Sequence, residues 1–266
     1  MKSYESYRFL KMERRGRILV VTMDNPPVNT VTLPMHEELS RVFFDINADA
    51  DAAVIVLTGA GKSFTSGGDI KGMLERMEKH QYDKTVTGMH EQREILRGLL
   101  NLEKPLIARV NGHAMGVGAT LAVFSDVSYM IDKARIADTH VKVGLSAGDG
   151  GALIWPLLMG FQRAREYLFT GDALTGTEAA AMGLISHAVT ESELDDKVYA
   201  LAERLAGGAT LAINATKRSV NLVLKRLLED IIDAHLGLET YTHFTDDHRE
   251  AIRAFADKRQ PRFKGK

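Results

Sequence analysis

The sequence predicts an α/β domain in which helices cover a largely parallel sheet. Three observations carry this. Short apolar runs rich in β-branched residues recur through the first half of the 266-residue chain, each stopped by Gly, Pro or Asn. Segments with apolar residues at helical spacing alternate with those runs, as in sheets whose crossovers are helical. Two glycine-rich loops each end a strand-like run and lead toward a helix.

In chain order, Ile18-Leu19-Val20-Val21 reads as a buried strand that Asn25-Pro26-Pro27 stops. Pro34 stands where a first helical turn tolerates proline, and Leu39, Val42, Phe43 and Ile46 follow on one helical face. Ala53 to Leu57 is a second strand, closed by Thr58-Gly59-Ala60-Gly61, and the glycine loop Ser66-Gly67-Gly68-Asp69 comes next. Residues 72–90 are charged and poorly patterned, which predicts a mobile surface segment. Leu96, Leu99 and Leu100 mark a helix, and Pro105 precedes a strand from Leu106 to Val110. The loop Asn111 to Gly118 opens into an apolar helix over Ala119 to Phe124, and Val127 to Ile131 is again strand-like. After a second glycine-dense loop at 144–151 the chain is mainly helical, with Val198, Leu201, Ala202 and Leu205 at i, i+3, i+4, i+7. No repeat or low-complexity linker divides it. The simplest organisation is a core over residues 1–200 and a helical C-terminal region over 201–266.

Composition narrows the function classes. Hydrophobic residues make up 45% and charged residues 26%, an ordinary globular balance. With no cysteine, a disulfide scaffold, a Cys-ligated zinc site and a thiolate nucleophile are excluded. A net charge of −1 supplies no field to recruit nucleic acid or an anionic membrane. Met1 to Leu10 lacks the apolar stretch of a signal peptide, and no window reads as a membrane span, so a cytoplasmic location is expected.

Several motifs fail on inspection. Thr58-Gly59-Ala60-Gly61-Lys62-Ser63 imitates a phosphate loop, but Val56 stands where its first glycine belongs. Gly116-Val117-Gly118 imitates a dinucleotide fingerprint, but Leu121 replaces the third glycine. There is no Gly-x-Ser-x-Gly elbow, and His243 and His248, five apart, do not share a helical face, so no metal site is expected. What survives is the pair of glycine loops. Either their backbone N–H groups approach a ligand and form an oxyanion hole, or the glycines only serve tight turns.

Taken together, these segments resemble the enoyl-CoA hydratase/isomerase (crotonase) family. Ala53 to Lys71 is similar to its first signature, and Lys104 to Ala108 with Asn111 to Gly118 to its second. Phe169-Thr170-Gly171, Ala179 to Ile185 and the ending Ala254 to Gly265 resemble its later segments. The resemblance implies a ββα spiral with a C-terminal helical region that packs between copies in a homotrimer or a hexamer of two trimers. It implies a coenzyme A thioester as substrate and no permanently bound cofactor. The Gly68 and Val117 N–H groups would hold the thioester oxygen. Val28, Ser66, Gly67, Asp69, Ile70, Lys71 and Gly116 would line the coenzyme A path. Phe263 and Lys264, in a tail with six basic residues against one acidic from Arg253 onward, would close over a neighbour's nucleotide.

The departures from that pattern bear most on the reaction. The family's two hydratase glutamates fall on Thr120 and His140. A threonine hydroxyl holds a water but is no base near neutral pH, whereas imidazole titrates near 6.5. Asp149, among glycines, supplies a carboxylate partner. The catalytic set expected is therefore Gly68, Val117, His140, Asp149 and Thr120. The plainer alternatives are that His140 only bonds a backbone carbonyl and that Asp149 only caps the following helix near Leu153. Glu75, Glu78 and Glu94 are further acids whose reach the sequence does not show. Three functions follow: hydration or isomerisation of an enoyl-CoA, hydrolysis of a carbon–carbon bond or thioester by His140 and Asp149, or binding of acyl-CoA without chemistry.

Overall fold

The computed structural model describes residues 4–266; Met1 to Ser3, the start of the N-terminal stretch read above, lie outside the described residues. Strand β1 (Leu10–Arg15) pairs antiparallel with β2 (Ile18–Met23) across a turn where Gly16 takes φ 58°. Lys11, Glu13 and Arg15 alternate outward along β1, which suits the sheet's edge. Helix α1 (Leu33–Asn47) starts with Pro34 in its first turn and buries Met35, Leu39, Val42, Phe43 and Ile46. Strand β3 (Val54–Gly59) is buried throughout. Helices α2 (Ile70–Glu78) and α3 (Tyr82–Asn101) follow. Then come β4 (Leu106–Val110), β5 (Ala114–Met115), α4 (Val117–Val123), β6 (Val127–Ile131), β7 (Arg135–Ala137) and a 3-10 turn at His140–Val143. The remainder is α5 (Gly151–Met159), α6 (Phe161–Thr170), β8 (Leu174–Thr175), α7 (Gly176–Ala181), β9 (His187–Val189), α8 (Leu194–Ala206), α9 (Thr210–His243) and α10 (Asp246–Ala256).

The main sheet has the order β1-β2-β3-β4-β6-β9, parallel from β2 onward. Its two faces are covered separately. Leu19, Val21, Ile55, Leu57, Leu106 and Ala108 pack with α1 and α3. Ile18, Val20, Val54, Val56 and Ile107 pack under Leu194, Val198, Ala202 and Ala206 of α8. Burial on both faces is why these strands read as continuous apolar runs instead of alternating. Residue 200 lies within α8, which is part of this core.

A smaller sheet, β5-β7-β8, positions the site. β5 pairs parallel with β7, and Gly116 N–H donates to the Ala137 carbonyl at 2.9 Å. The segment from Asp138 therefore continues beside the start of α4.

The segment 72–90 is a correction. Read as an unpatterned surface stretch, it is helical and largely at the surface: the body of α2 and the first half of α3. Its apolar residues Met73, Met77 and Met89 face a cavity, so the charged outer face dominates the sequence pattern and hides the helical period. Helix α9, about 50 Å long by its rise per residue, crosses the domain. Its start is tied by an ion pair of buried Lys217 with Asp126 at 2.7 Å and by Asn221 Nδ2 donating to the Leu100 carbonyl at 3.0 Å. Its far end delivers Glu239 and His243 to that same cavity. No helix among the described residues is long and apolar enough to cross a membrane.

Candidate active site

The two glycine loops meet. Thr65 N–H donates to the His113 carbonyl and Met115 N–H to the Thr65 carbonyl, both at 3.1 Å. A Cβ on Gly67, whose φ is 86°, would lie 2.7 Å from the Met115 carbonyl oxygen, so only glycine allows this approach. Val117 opens α4 and Gly68 precedes α2, with Asp69 as N-cap accepting from Gly72 N–H at 3.0 Å. Neither Gly68 N–H nor Val117 N–H has a hydrogen-bond partner among the described residues. Both residues line the cavity, as do Ser66, Asp69, Ile70 and Gly116.

His140 lies in the same cavity, at the head of the 3-10 turn. Its Nδ1 is 2.7 Å from Asp138 Oδ1, which also accepts from His140 N–H at 3.2 Å. Its Nε2 faces Asp149 Oδ2 at 3.7 Å and Glu239 Oε1 at 3.9 Å. All three carboxylates are buried. Burial by itself pushes His140 down, but the charges of Asp149, Asp138 and Glu239 outweigh it and raise its pKa well above the usual imidazole value. Burial raises Asp149, partly offset by His140. Burial also lifts Glu239 to about 8. Asp149 Oδ1 and Glu239 Oε2 have no hydrogen-bond partner among the described residues, so each can accept from a substrate or water donor. One donor atom each from Asp138, His140 and Asp149 also falls within 4.8 Å of the others, a spacing a cation could use.

The plainer readings of both residues are overturned. His140 bonds a carboxylate, not a backbone carbonyl, and the N-cap of α5 is Gly150 with no side-chain cap bond, although the Gly151 N–H at the helix start still acts on Asp149. Thr120 is corrected in another way. Its hydroxyl is buried and donates to Asp149 Oδ2 at 3.1 Å, beneath the acid it supports. Val28, Gly67 and Lys71 are not in the cavity wall; Val28 and Lys71 are exposed, and the Val28 carbonyl accepts from Ser66 N–H at 3.0 Å. Phe263 and Lys264 lie in the tail, which Asp247 holds by accepting from Lys264 N–H at 2.6 Å and Gly265 N–H at 2.8 Å. Within one chain they do not reach the Gly68 loop's cavity. Glu75 is turned toward Lys79 at 3.6 Å and Glu94 toward Arg97 at 3.1 Å, and neither they nor Glu78 line it.

Sequence reasoning missed Asp138, Glu239, His243, His248 and Arg76. His243 and His248 sit on successive helices with ring centroids 4.8 Å apart. His248 Nδ1 meets the Val143 carbonyl at 2.6 Å. Burial, then neighbouring His248, His140 and Arg76, hold His243 down to about 3, so it is neutral near pH 7. The one available signal was the i, i+4 pair Glu239 and His243 on α9.

The sequence model of enoyl-CoA hydratase/isomerase matches residues 13–266. The chain belongs to the enoyl-CoA hydratase/isomerase family. The short-chain-enoyl-CoA hydratase of Clostridium acetobutylicum is 31% identical over 255 residues, covering 94% of this chain and 95% of that protein. Among solved structures, an enoyl-CoA hydratase/isomerase from Mycobacterium paratuberculosis superposes with a TM-score of 0.87 at 31% identity, covering 92% of this chain and 97% of the other. A β-diketone hydrolase from the cyanobacterium Anabaena, bound to (S)-3-oxocyclohexyl acetic acid, superposes with a TM-score of 0.82 at 28% identity, covering 90% and 96%. The ββα spiral expected from the signatures is thus the observed fold. Within that family fold, a histidine–carboxylate cluster shares the cavity with the two glycine loops.

Proposed function

We propose that this enoyl-CoA hydratase/isomerase family member is a hydrolase that cleaves the carbon–carbon bond of a β-oxoacyl-CoA. The observation that carries the reading is His140. Asp138 fixes its ring through Nδ1, and its Nε2 is presented to Asp149 and Glu239 inside the cavity that Gly68 and Val117 line.

In this reading water attacks the β-carbonyl carbon, and its proton passes to the His140–Asp149 pair. Burial raises Asp149 and so makes its carboxylate a stronger base, while the adjacent imidazolium offsets the charge. The bond between the α- and β-carbons then breaks. Its electron pair moves onto the thioester as an enolate, whose oxygen accepts from Gly68 N–H and Val117 N–H. The pair returns its proton to the α-carbon, leaving a carboxylic acid and a shortened acyl-CoA. Each backbone donor is worth roughly 2.7–4 kcal/mol in such a transition state. The likeness to the Anabaena β-diketone hydrolase supports water attack on a dicarbonyl. The exposed apolar residues Leu211, Val220, Leu222 and Val223 of α9 support packing between copies, as in a trimer.

The test is product analysis with acetoacetyl-CoA and longer β-oxoacyl-CoA thioesters in isotopically labelled water. The expected result is one label in the released carboxylic acid and a shortened acyl-CoA in equal amount. The second reading, hydration, is favoured by the likeness to the Clostridium hydratase. Rapid loss of enoyl absorbance with crotonyl-CoA, and no cleavage of any β-oxo thioester, would establish it and overturn the first.

A further inference from the structure

Arg76 shares the cavity with His140, Asp149 and Glu239 but belongs to neither the backbone donors nor the acid–base cluster. It projects from α2 beside Met73 and Met77, the other cavity-facing residues of that helix's i, i+3, i+4 stripe. It is partly buried, and burial pushes its guanidinium below the usual arginine value. No carboxylate lies within ion-pair distance of it among the described residues. The two acids whose charge acts on it are otherwise engaged: Asp69 accepts from Gly72 N–H at 3.0 Å, and Glu75 faces Lys79 at 3.6 Å. Other partly buried arginines do meet a carboxylate: Arg14, Arg97 and Arg109 at 2.5–2.7 Å. His243 is neutral near pH 7, and Lys84, the cavity's other fixed cation, is exposed. A guanidinium drawn out of water without a counter-charge is costly unless a ligand supplies one.

We propose that Arg76 recognises a carboxylate on the far end of the acyl chain, so that the preferred substrates are coenzyme A half-thioesters of dicarboxylic acids. This rests on reading the cavity as an acyl-CoA pocket. The helix itself sets the chain length. Arg76 folds back toward the start of α2, and a Cβ on Gly72 would lie 3.0 Å from its Nη1. Gly72 is roughly 3 Å along α2 from its first residue Ile70, and Gly68 lies two residues before that start, so the guanidinium stands within a short acyl chain of the thioester end. An adipyl chain spans that distance.

The test titrates adipyl-CoA, hexanoyl-CoA and coenzyme A into the full-length protein and into Arg76→Met, with binding heat as the readout. Neither thioester has a bond that the proposed chemistry cleaves, so binding is read apart from catalysis. Wild type is expected to bind adipyl-CoA about tenfold or more tighter than hexanoyl-CoA. Arg76→Met should lose about that factor for adipyl-CoA and less than about twofold for hexanoyl-CoA, and Arg76→Lys should fall between. Equal weakening of all three ligands would assign Arg76 to the nucleotide phosphates and overturn the proposal, as would no weakening of any. If neither thioester binds wild type, the acyl-CoA reading fails, and free adipate decides for Arg76. Adipate binding that vanishes in Arg76→Met sustains the carboxylate site, whereas adipate binding that is absent or unchanged removes it.

Discussion

The site has two halves built on opposite principles. The half at Gly68 and Val117 offers backbone N–H groups, held where two loops cross with Gly67 against Met115. Its chemistry does not depend on side-chain identity beyond the need for small residues. The half at His140 is made of side chains from three distant segments: the 3-10 turn, the loop before α5 and the end of α9. Its chemistry depends wholly on identity, because burial and the charges of their neighbours shift His140, Asp149 and Glu239 together. The difference teaches that one cavity can join a half set by backbone geometry to a half set by side-chain identity, each built by a different part of the fold.

The largest effect is expected from the side-chain half. His140→Gln keeps a donor for Asp138 but cannot titrate, and kcat should fall by about 10²–10⁴-fold with the folded fraction unchanged by circular dichroism. An unaltered rate would remove His140 from the chemistry. The backbone half comes next. Gly68→Pro deletes one N–H, and kcat should drop by about 10²–10³-fold, provided the melting temperature shows a folded protein. Retained turnover there would mean that Gly68 is not a donor to the thioester oxygen.

A third measurement separates the halves by pH. Glu239 is raised to about 8 in the folded chain from an ordinary glutamate value of 4.5. Between those values the native state holds a proton that the unfolded chain has released, so stability falls as pH rises through this window. Glu239→Gln does not titrate. Its melting temperature should gain on wild type from pH 5 to pH 8 and level off above, and a gap that does not change with pH would refute the assignment. His140, raised above 6.5 by its carboxylates, acts in the same direction: its contribution is complete below about 6.5 and is lost as pH rises through its folded value. The smallest effect belongs to Val117→Gly. The N–H persists, so kcat/KM should change less than about threefold while stability drops by about 1 kcal/mol. A large loss would show that the valine side chain takes part.

Much of this arrangement was legible along the chain. The β2, β3, β4 and β6 runs, the helical face of α1 and both glycine loops are local patterns, and the structure contains each of them. Local patterning also failed where the surface dominated. The charged outer residues of α2 and early α3 masked Met73, Met77 and Met89 on the inner face. Short strands such as β5, β7 and β8 carry too few residues for a period to show, yet they bring Asp138 beside Val117.

The sequence by itself determined the parallel α/β core and the two glycine loops, because each is a local pattern of residue types at close spacing. Only the tertiary structure decided what His140 can do. Asp138 is two residues away, but Glu239 arrives from 99 residues downstream on α9. Thr120 reaches Asp149 only because α4 packs against that loop. A pKa is set by burial and by charges in space, and neither is written in the order of residues.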